Sequence, residues 1–123
     1  MPTLDEAGAL FDRRLRAWVA GDVEAYLALW APDMTVGSPV HPEIRGRDAY
    51  AALIRTSMAN VEPLAFTLRH LAVNGDVVLA EWTMRARHRA DGRLLEWTGM
   101  SACAIEGGLI AWWREYWNPA AFA

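Results

Sequence analysis

Near the end of the chain a carboxylate stands between two tryptophans, in Trp113-Arg114-Glu115-Tyr116-Trp117. Alternate side chains of an extended strand share a face, so Trp113, Glu115 and Trp117 point one way and Trp112, Arg114 and Tyr116 the other. A carboxylate among indoles loses hydration, which disfavours its charged form and brings it toward the range where it exchanges protons at neutral pH. Glu115 is therefore the leading candidate for a proton-transfer group, and a buried ion pair with Arg14 is the competing reading. On a helical wheel Arg14 falls about 60° from the centre of the Phe11–Trp18 apolar stripe, so it either borders the same space as a polarising group or snorkels to the surface. His41 is a further candidate acid or base, set against the plainer reading of an exposed loop histidine. Ser38 and Ser101 offer hydroxyls suited to ligand hydrogen bonding rather than nucleophilic attack, because no Ser-His-Asp arrangement accompanies them.

Composition closes many other routes. All 12 basic residues are Arg and none is Lys, which rules out a Schiff-base aldolase, a pyridoxal phosphate enzyme and a Walker A phosphate loop. The single cysteine, Cys103, makes neither an internal disulfide nor a C-x-x-C site. His41, His70 and His88 have no local metal-ligand spacing, so no metal and no cofactor is expected. The first residues lack the basic and apolar regions of a secretory signal, and no run of roughly 18 apolar residues follows, which together point to a cytoplasmic chain without membrane contact. The net charge is −3, and the arginines from Arg85 to Arg114 are offset by Glu81, Glu96 and Glu106, so a nucleic-acid surface is not expected.

The elements that must position Glu115 are legible from period and punctuation. Thr3-Leu4-Asp5-Glu6 is a capping box opening a helix over about 3–20, apolar at Leu4, Ala7, Phe11, Leu15 and Trp18. Gly21 suits its C-terminal cap and Asp22 the next N-cap, for a second helix carrying Val23, Tyr26, Leu27 and Trp30 up to Pro32. Met34 to Ser38 reads as a short strand, Pro39-Val40-His41-Pro42 as loop, and about 47–59 as a third helix with Tyr50, Leu53, Ile54, Ser57 and Met58. After Pro63 the period changes to two, and turn signals at Asn74-Gly75-Asp76, Ala90-Asp91-Gly92 and Glu106-Gly107-Gly108 divide long antiparallel strands near 64–73, 77–90, 93–105 and 109–118. Helices followed by a meander give an α+β fold in one domain spanning residues 1–123, with the helices on one face of a bent sheet. Strand parity puts Trp82, Met84, Trp97, Ser101, Trp113, Glu115 and Trp117 on the inner face, and Met100, Trp112, Arg114 and Tyr116 on the outer.

Helix-Gly21-Asp22-helix, then Leu29-Trp30-Ala31-Pro32-Asp33-Met34-Thr35-Val36, Ile44-Arg45-Gly46-Arg47-Asp48-Ala49 and Trp113-Arg114-Glu115-Tyr116-Trp117-Asn118, resemble the nuclear transport factor 2-like superfamily over about residues 8–119. Within it the chain is most similar to the SnoaL-like proteins, the ketosteroid isomerases and the limonene-epoxide hydrolases. The resemblance implies a cone-shaped α+β barrel, three N-terminal helices packed on a strongly curved, mainly antiparallel sheet, with a deep pocket and commonly a homodimer. It does not carry a mechanism over intact. The proton-shuttling Asp, oxyanion Tyr and protonated Asp of the ketosteroid isomerases match Ser38, Arg14 and Ser101. The Arg and first Asp of the limonene-epoxide hydrolases match Trp82 and Met84, and their water-positioning Tyr and Asn match Val36 and Ser38. Only the carboxylate of the last strand survives, as Glu115.

The resulting expectation is a SnoaL-like domain that takes a small hydrophobic, cyclic molecule in a cone walled by Trp30, Ile54, Met58, Trp82, Met84, Trp97, Trp113 and Trp117, with Ser38 and Ser101 as polar contacts. Cofactor-independent isomerase, cyclase, dehydratase or hydrolase chemistry would run through Glu115, helped by Arg14 and His41. The alternative is a non-catalytic ligand-binding or dimerisation module. Met100, Trp112, Arg114 and Tyr116 are the residue types that protein interfaces favour, so a second copy is the expected partner of the outer face.

Overall fold

The reciprocal hydrogen bonds of the capping box, Glu6 N to Thr3 Oγ1 at 3.0 Å and Thr3 N to Glu6 Oε1 at 3.1 Å, start helix α1, Leu4–Ala20. Gly21 ends it at φ 67°, a left-handed conformation that glycine adopts without a Cβ penalty. The buried positions of α1 are Ala7, Leu10, Phe11, Arg14 and Ala17, so the inward face is centred on Arg14 rather than on the Phe11–Trp18 line. Helix α2, Val23–Leu27, follows with Asp22 accepting from Ala25 N. The computed structural model describes residues 1–122, and after α2 it continues with β1 (Trp30–Ser38), β2 (His41–Arg45), α3 (Arg47–Asn60), β3 (Val61–Asn74), β4 (Val77–His88), β5 (Leu94–Glu106) and β6 (Leu109–Trp117), ending in a short turn of 3-10 helix, Pro119–Phe122.

Two local expectations need correction. The second helix stops at Leu27, and Trp30 belongs to β1. Pairing decides this: Ile110 N donates to Leu29 O at 2.8 Å, and β1 runs parallel to β6 from Trp30↔Ile110 onward. A ladder with a buried strand outweighs a weak local helical pattern, and Pro32 falls in the irregular stretch between Trp30 and Thr35. His41 and Pro42 likewise belong to β2 rather than to a loop, with only Pro39 and Val40 in the turn. Pro42 is tolerated because β2 is an edge strand.

The six strands form one sheet in the order β2-β1-β6-β5-β4-β3, antiparallel except for β1 and β6. The sheet is curved but does not close into a barrel, since β2 and β3 remain as edges. Register shifts at Pro63/Ala65 and Leu68/His70 in β3, and at Ala104/Ile105 in β5, are the places where a ladder bends. The helices cover the concave face, and the core between the layers is built on Phe11, Tyr26, Trp30, Trp82 and Trp113, all fully buried. Gly99 makes one of those placements possible: it sits opposite Trp82 in the β4–β5 ladder, and a Cβ there would stand 2.7 Å from Trp82 Cη2.

Candidate functional site

A cavity of about 350 Å³ lies between the helices and the concave face of the sheet, at the lower end of the range for small-molecule sites. Each layer contributes to its wall: Arg14 and Trp18 from α1, Tyr26 from α2, Tyr50 and Ile54 from α3, and Trp113, Glu115 and Trp117 from β6. Its buried end is polar. Arg14, Tyr26 and Tyr50 meet there, with Trp113 beneath them, and Arg14 is only 4% exposed. Val40 and Ser57, both exposed, mark the solvent end.

Arg14 is held by rings and by one hydrogen bond. Its guanidinium carbon lies 4.3 Å from the Trp113 ring centroid and 5.4 Å from those of Tyr26 and Phe66. Nη2 donates to Tyr26 Oη at 3.2 Å, and the Tyr26 and Tyr50 hydroxyls are 2.9 Å apart. Nε and Nη1 are buried with no hydrogen-bond partner, and no carboxylate among the described residues reaches ion-pair distance of Arg14. Burial pulls the guanidinium's pKa down, but Tyr26, Tyr50 and Glu115 outweigh that and leave it above its ordinary value. The group is a cation throughout the physiological range. Burial pushes the Tyr50 phenol well above its usual pKa, Tyr26 adding to the shift and Arg14 opposing it, so Tyr50 is a neutral hydroxyl. Cys103, nearby and buried, is raised by desolvation to about 12 against a weaker pull from Arg14. Neither a snorkelling Arg14 nor an Arg14–Glu115 ion pair describes this arrangement.

Among the described residues, Glu115 is the only carboxylate of the cavity wall. Extended β6 sends it inward with Trp113 and Trp117, as strand parity requires. It is half-buried rather than sealed off, and Trp113 Nε1 donates to its Oε2 at 3.2 Å. Oε1 has no hydrogen-bond partner among the described residues. A hydrogen bond to one oxygen fixes the carboxylate's direction and leaves the other able to take a proton.

Of the residues expected at the site, Arg14, Ser38, His41, Ile54, Met58, Met84, Trp97, Trp113, Glu115 and Trp117 line this one cavity. Trp30, Trp82 and Ser101 do not. Trp82 Nε1 donates to Ser101 Oγ at 3.1 Å, so these two satisfy each other behind the wall, while Trp30 packs edge-on against Tyr50 at 4.8 Å. His41 is at the wall with Nδ1 2.8 Å from Pro42 O. His70 lies against Glu81 at 2.8 Å and His88 is 3.5 Å from Asp91. No three metal-ligating side chains come together among the described residues. Sequence reading missed the Tyr26–Tyr50 pair as part of the site and took both for helix-face residues. The usable signal was chemical: a tyrosine on a buried helical face needs a partner for its hydroxyl, and two of them beside a buried arginine form a cluster.

Sequence and shape both place this arrangement among known proteins. No curated protein matches the chain in sequence. Among solved structures, an isomerase candidate from Bacillus subtilis superposes with a TM-score of 0.88 at 20% identity, covering 98% of this chain and 92% of the other. A polyketide cyclase candidate from Xanthomonas campestris pv. campestris gives 0.83 at 22% identity, with 97% and 95% covered. An LEH-like epoxide hydrolase from M. tuberculosis gives 0.82 at 21% identity, with 98% and 88% covered. At such identities the likeness establishes the fold and not the chemistry. The sequence pattern of the SnoaL-like domain extends over residues 11–113, from the α1 turn that carries Arg14 to the β6 tryptophan on which Arg14 lies, and the chain belongs to that family.

Proposed function

We propose that the protein binds a small apolar, cyclic molecule in the cone and performs cofactor-independent acid–base chemistry on it through Glu115. The observation that carries this reading is the placement of a half-buried carboxylate, alone among the described residues of the wall, with Oε2 fixed by Trp113, in a cavity lined mainly by indoles, aliphatic side chains and hydroxyls together with Arg14 and His41. Trp97 and Trp117, with ring centroids 6.0 Å apart, suit the flat faces of a cyclic ligand. In such a reaction Glu115 would take a proton from one position of the bound molecule and return it to another, and the aromatic walls would restrict water. The cyclase, isomerase and epoxide hydrolase labels of the structural neighbours are compatible with this class. Glu115→Gln keeps the shape and removes the proton acceptor: ligand binding should persist and turnover fall by about 10²-fold or more. Unchanged turnover would contradict the role given to Glu115.

A second reading, a binding module without catalysis, is favoured by the residues at the other family positions: Ser38 supplies no carboxylate to accept a proton, and Ser101 is engaged by Trp82. Ligand binding by the wild type without any product would support it. We also propose a cytoplasmic homodimer formed through the outer sheet face, where Met100 and Tyr116 are neighbours in the β5–β6 ladder and more than half exposed. Trp112 is less open than its position suggested, since the Arg114 guanidinium lies 4.2 Å over its ring. Sedimentation should show two copies for the wild type and one for Tyr116→Asp.

A further inference from the structure

Arg14 is a cation in the wrong place for a purely structural role. Moving a guanidinium out of water costs several kcal/mol unless an anion or a full set of acceptors compensates it. Here it has aromatic faces and one phenol oxygen, while Nε and Nη1 are buried without acceptors. Glu115 is on the same wall, but its Oε2 is taken by Trp113 Nε1 and it makes no ion pair with Arg14. Nε and Nη1 each share an edge of the guanidinium with Nη2, and such an edge is the fork that grips the two oxygens of a carboxylate. Contact with the Trp113 ring and the bond from Nη2 to Tyr26 hold the guanidinium in place before anything binds.

We infer that the buried end of the cavity is a carboxylate subsite, and that the ligand class is an apolar ring system bearing a carboxylate that docks on the Arg14 guanidinium. This deepens the reading of the cavity as a ligand site and rests on it. It also orders the ligand: the acid group goes to the buried end with Arg14, Tyr26 and Tyr50, and the ring lies along Trp97 and Trp117. Glu115 would then act on a ring or side-chain position removed from the acid group.

The experiment is calorimetric titration of the full chain near neutral pH with two acids, naphthoate and adamantane carboxylate, and with the primary amide of each. The amides keep shape and hydrogen-bonding groups and remove the charge. The acids should bind about tenfold more tightly than their amides or better, as a charge-assisted pair in a dry site requires. Arg14→Met should abolish that preference, and Glu115→Gln should keep it. In the wild type the Arg14 Nε–H magnetic resonance signal should move with the acids and not with the amides, a readout that stands even if the Arg14 variant does not fold. Equal affinity for acid and amide would overturn the carboxylate subsite while leaving the ligand cavity in place. Failure of all four compounds to bind would overturn both.

Discussion

The two faces of the sheet treat arginine in opposite ways. Outside, charges are met by exposed carboxylates: Arg85 Nε lies 3.1 Å from Glu96, Arg89 3.9 Å from Glu62, and Arg69 4.0 Å from Glu81. Inside, Arg14 is buried on rings, and no carboxylate among the described residues is at ion-pair distance from it. An exposed ion pair contributes roughly 0–1 kcal/mol, because water screens it. A buried cation with unfilled donors costs more than that, so its persistence in a folded domain points to a purpose other than stability. The outer face keeps its charges paired at the surface, and the inner face holds one charge buried among rings.

Adjacent tryptophans give the strongest way to break this contrast. Trp113 is 1% exposed and touches Arg14, Phe11 and Trp30, whereas its neighbour Trp112 faces outward under Arg114. Trp113→Ala should cost about 3–5 kcal/mol in chemical denaturation, and Trp112→Ala about 1 kcal/mol or less. Similar losses at the two positions would remove the distinction between the faces. Gly99→Ala, which drives a methyl group into the Trp82 ring, should cost about 1–3 kcal/mol by the same measurement.

Alkaline pH probes the inner face alone. The native Cys103 thiol ionises at about 12, against 9.0 for an ordinary thiol. Its folded-state pKa is raised, so the stabilisation is complete below the unfolded pKa and is lost as pH rises from about 9 toward 12. Urea unfolding should show stability falling across that window, and Cys103→Ala should make the fall shallower. Tyr50 acts in the same direction, so some slope remains in the variant. At the small end of the scale, Arg85→Ala should change stability by less than about 1 kcal/mol and lose even that in high salt.

Much of this was readable in the sequence, and the misses have physical causes. The capping box, the four long strands and the in–out parity of β4 to β6 depend on local period and turn chemistry, which a sequence displays. Glu115 and its flanking indoles followed from parity alone. Trp30 was misplaced because its conformation is set by a partner strand about 80 residues away in sequence, at Ile110. Trp82 and Ser101 have the right parity for the cavity, but a face specifies direction and not depth, and the gap above Gly99 takes the Trp82 ring. Arg14 was read as marginal because a charged residue on an apolar stripe usually escapes to water. The stripe is in fact centred on it, through Ala7, Leu10, Phe11 and Ala17.

Thermal unfolding of wild type and Arg14→Met, each with and without naphthoate, tests most directly whether Arg14 serves the site rather than the fold. Removing a buried charge whose Nε and Nη1 lack acceptors should leave the ligand-free variant no less stable than the wild type. Naphthoate should raise the melting temperature of the wild type and not of the variant. A variant that melts well below the wild type without ligand, together with a wild type that naphthoate does not stabilise, would make Arg14 a structural residue and contradict the account.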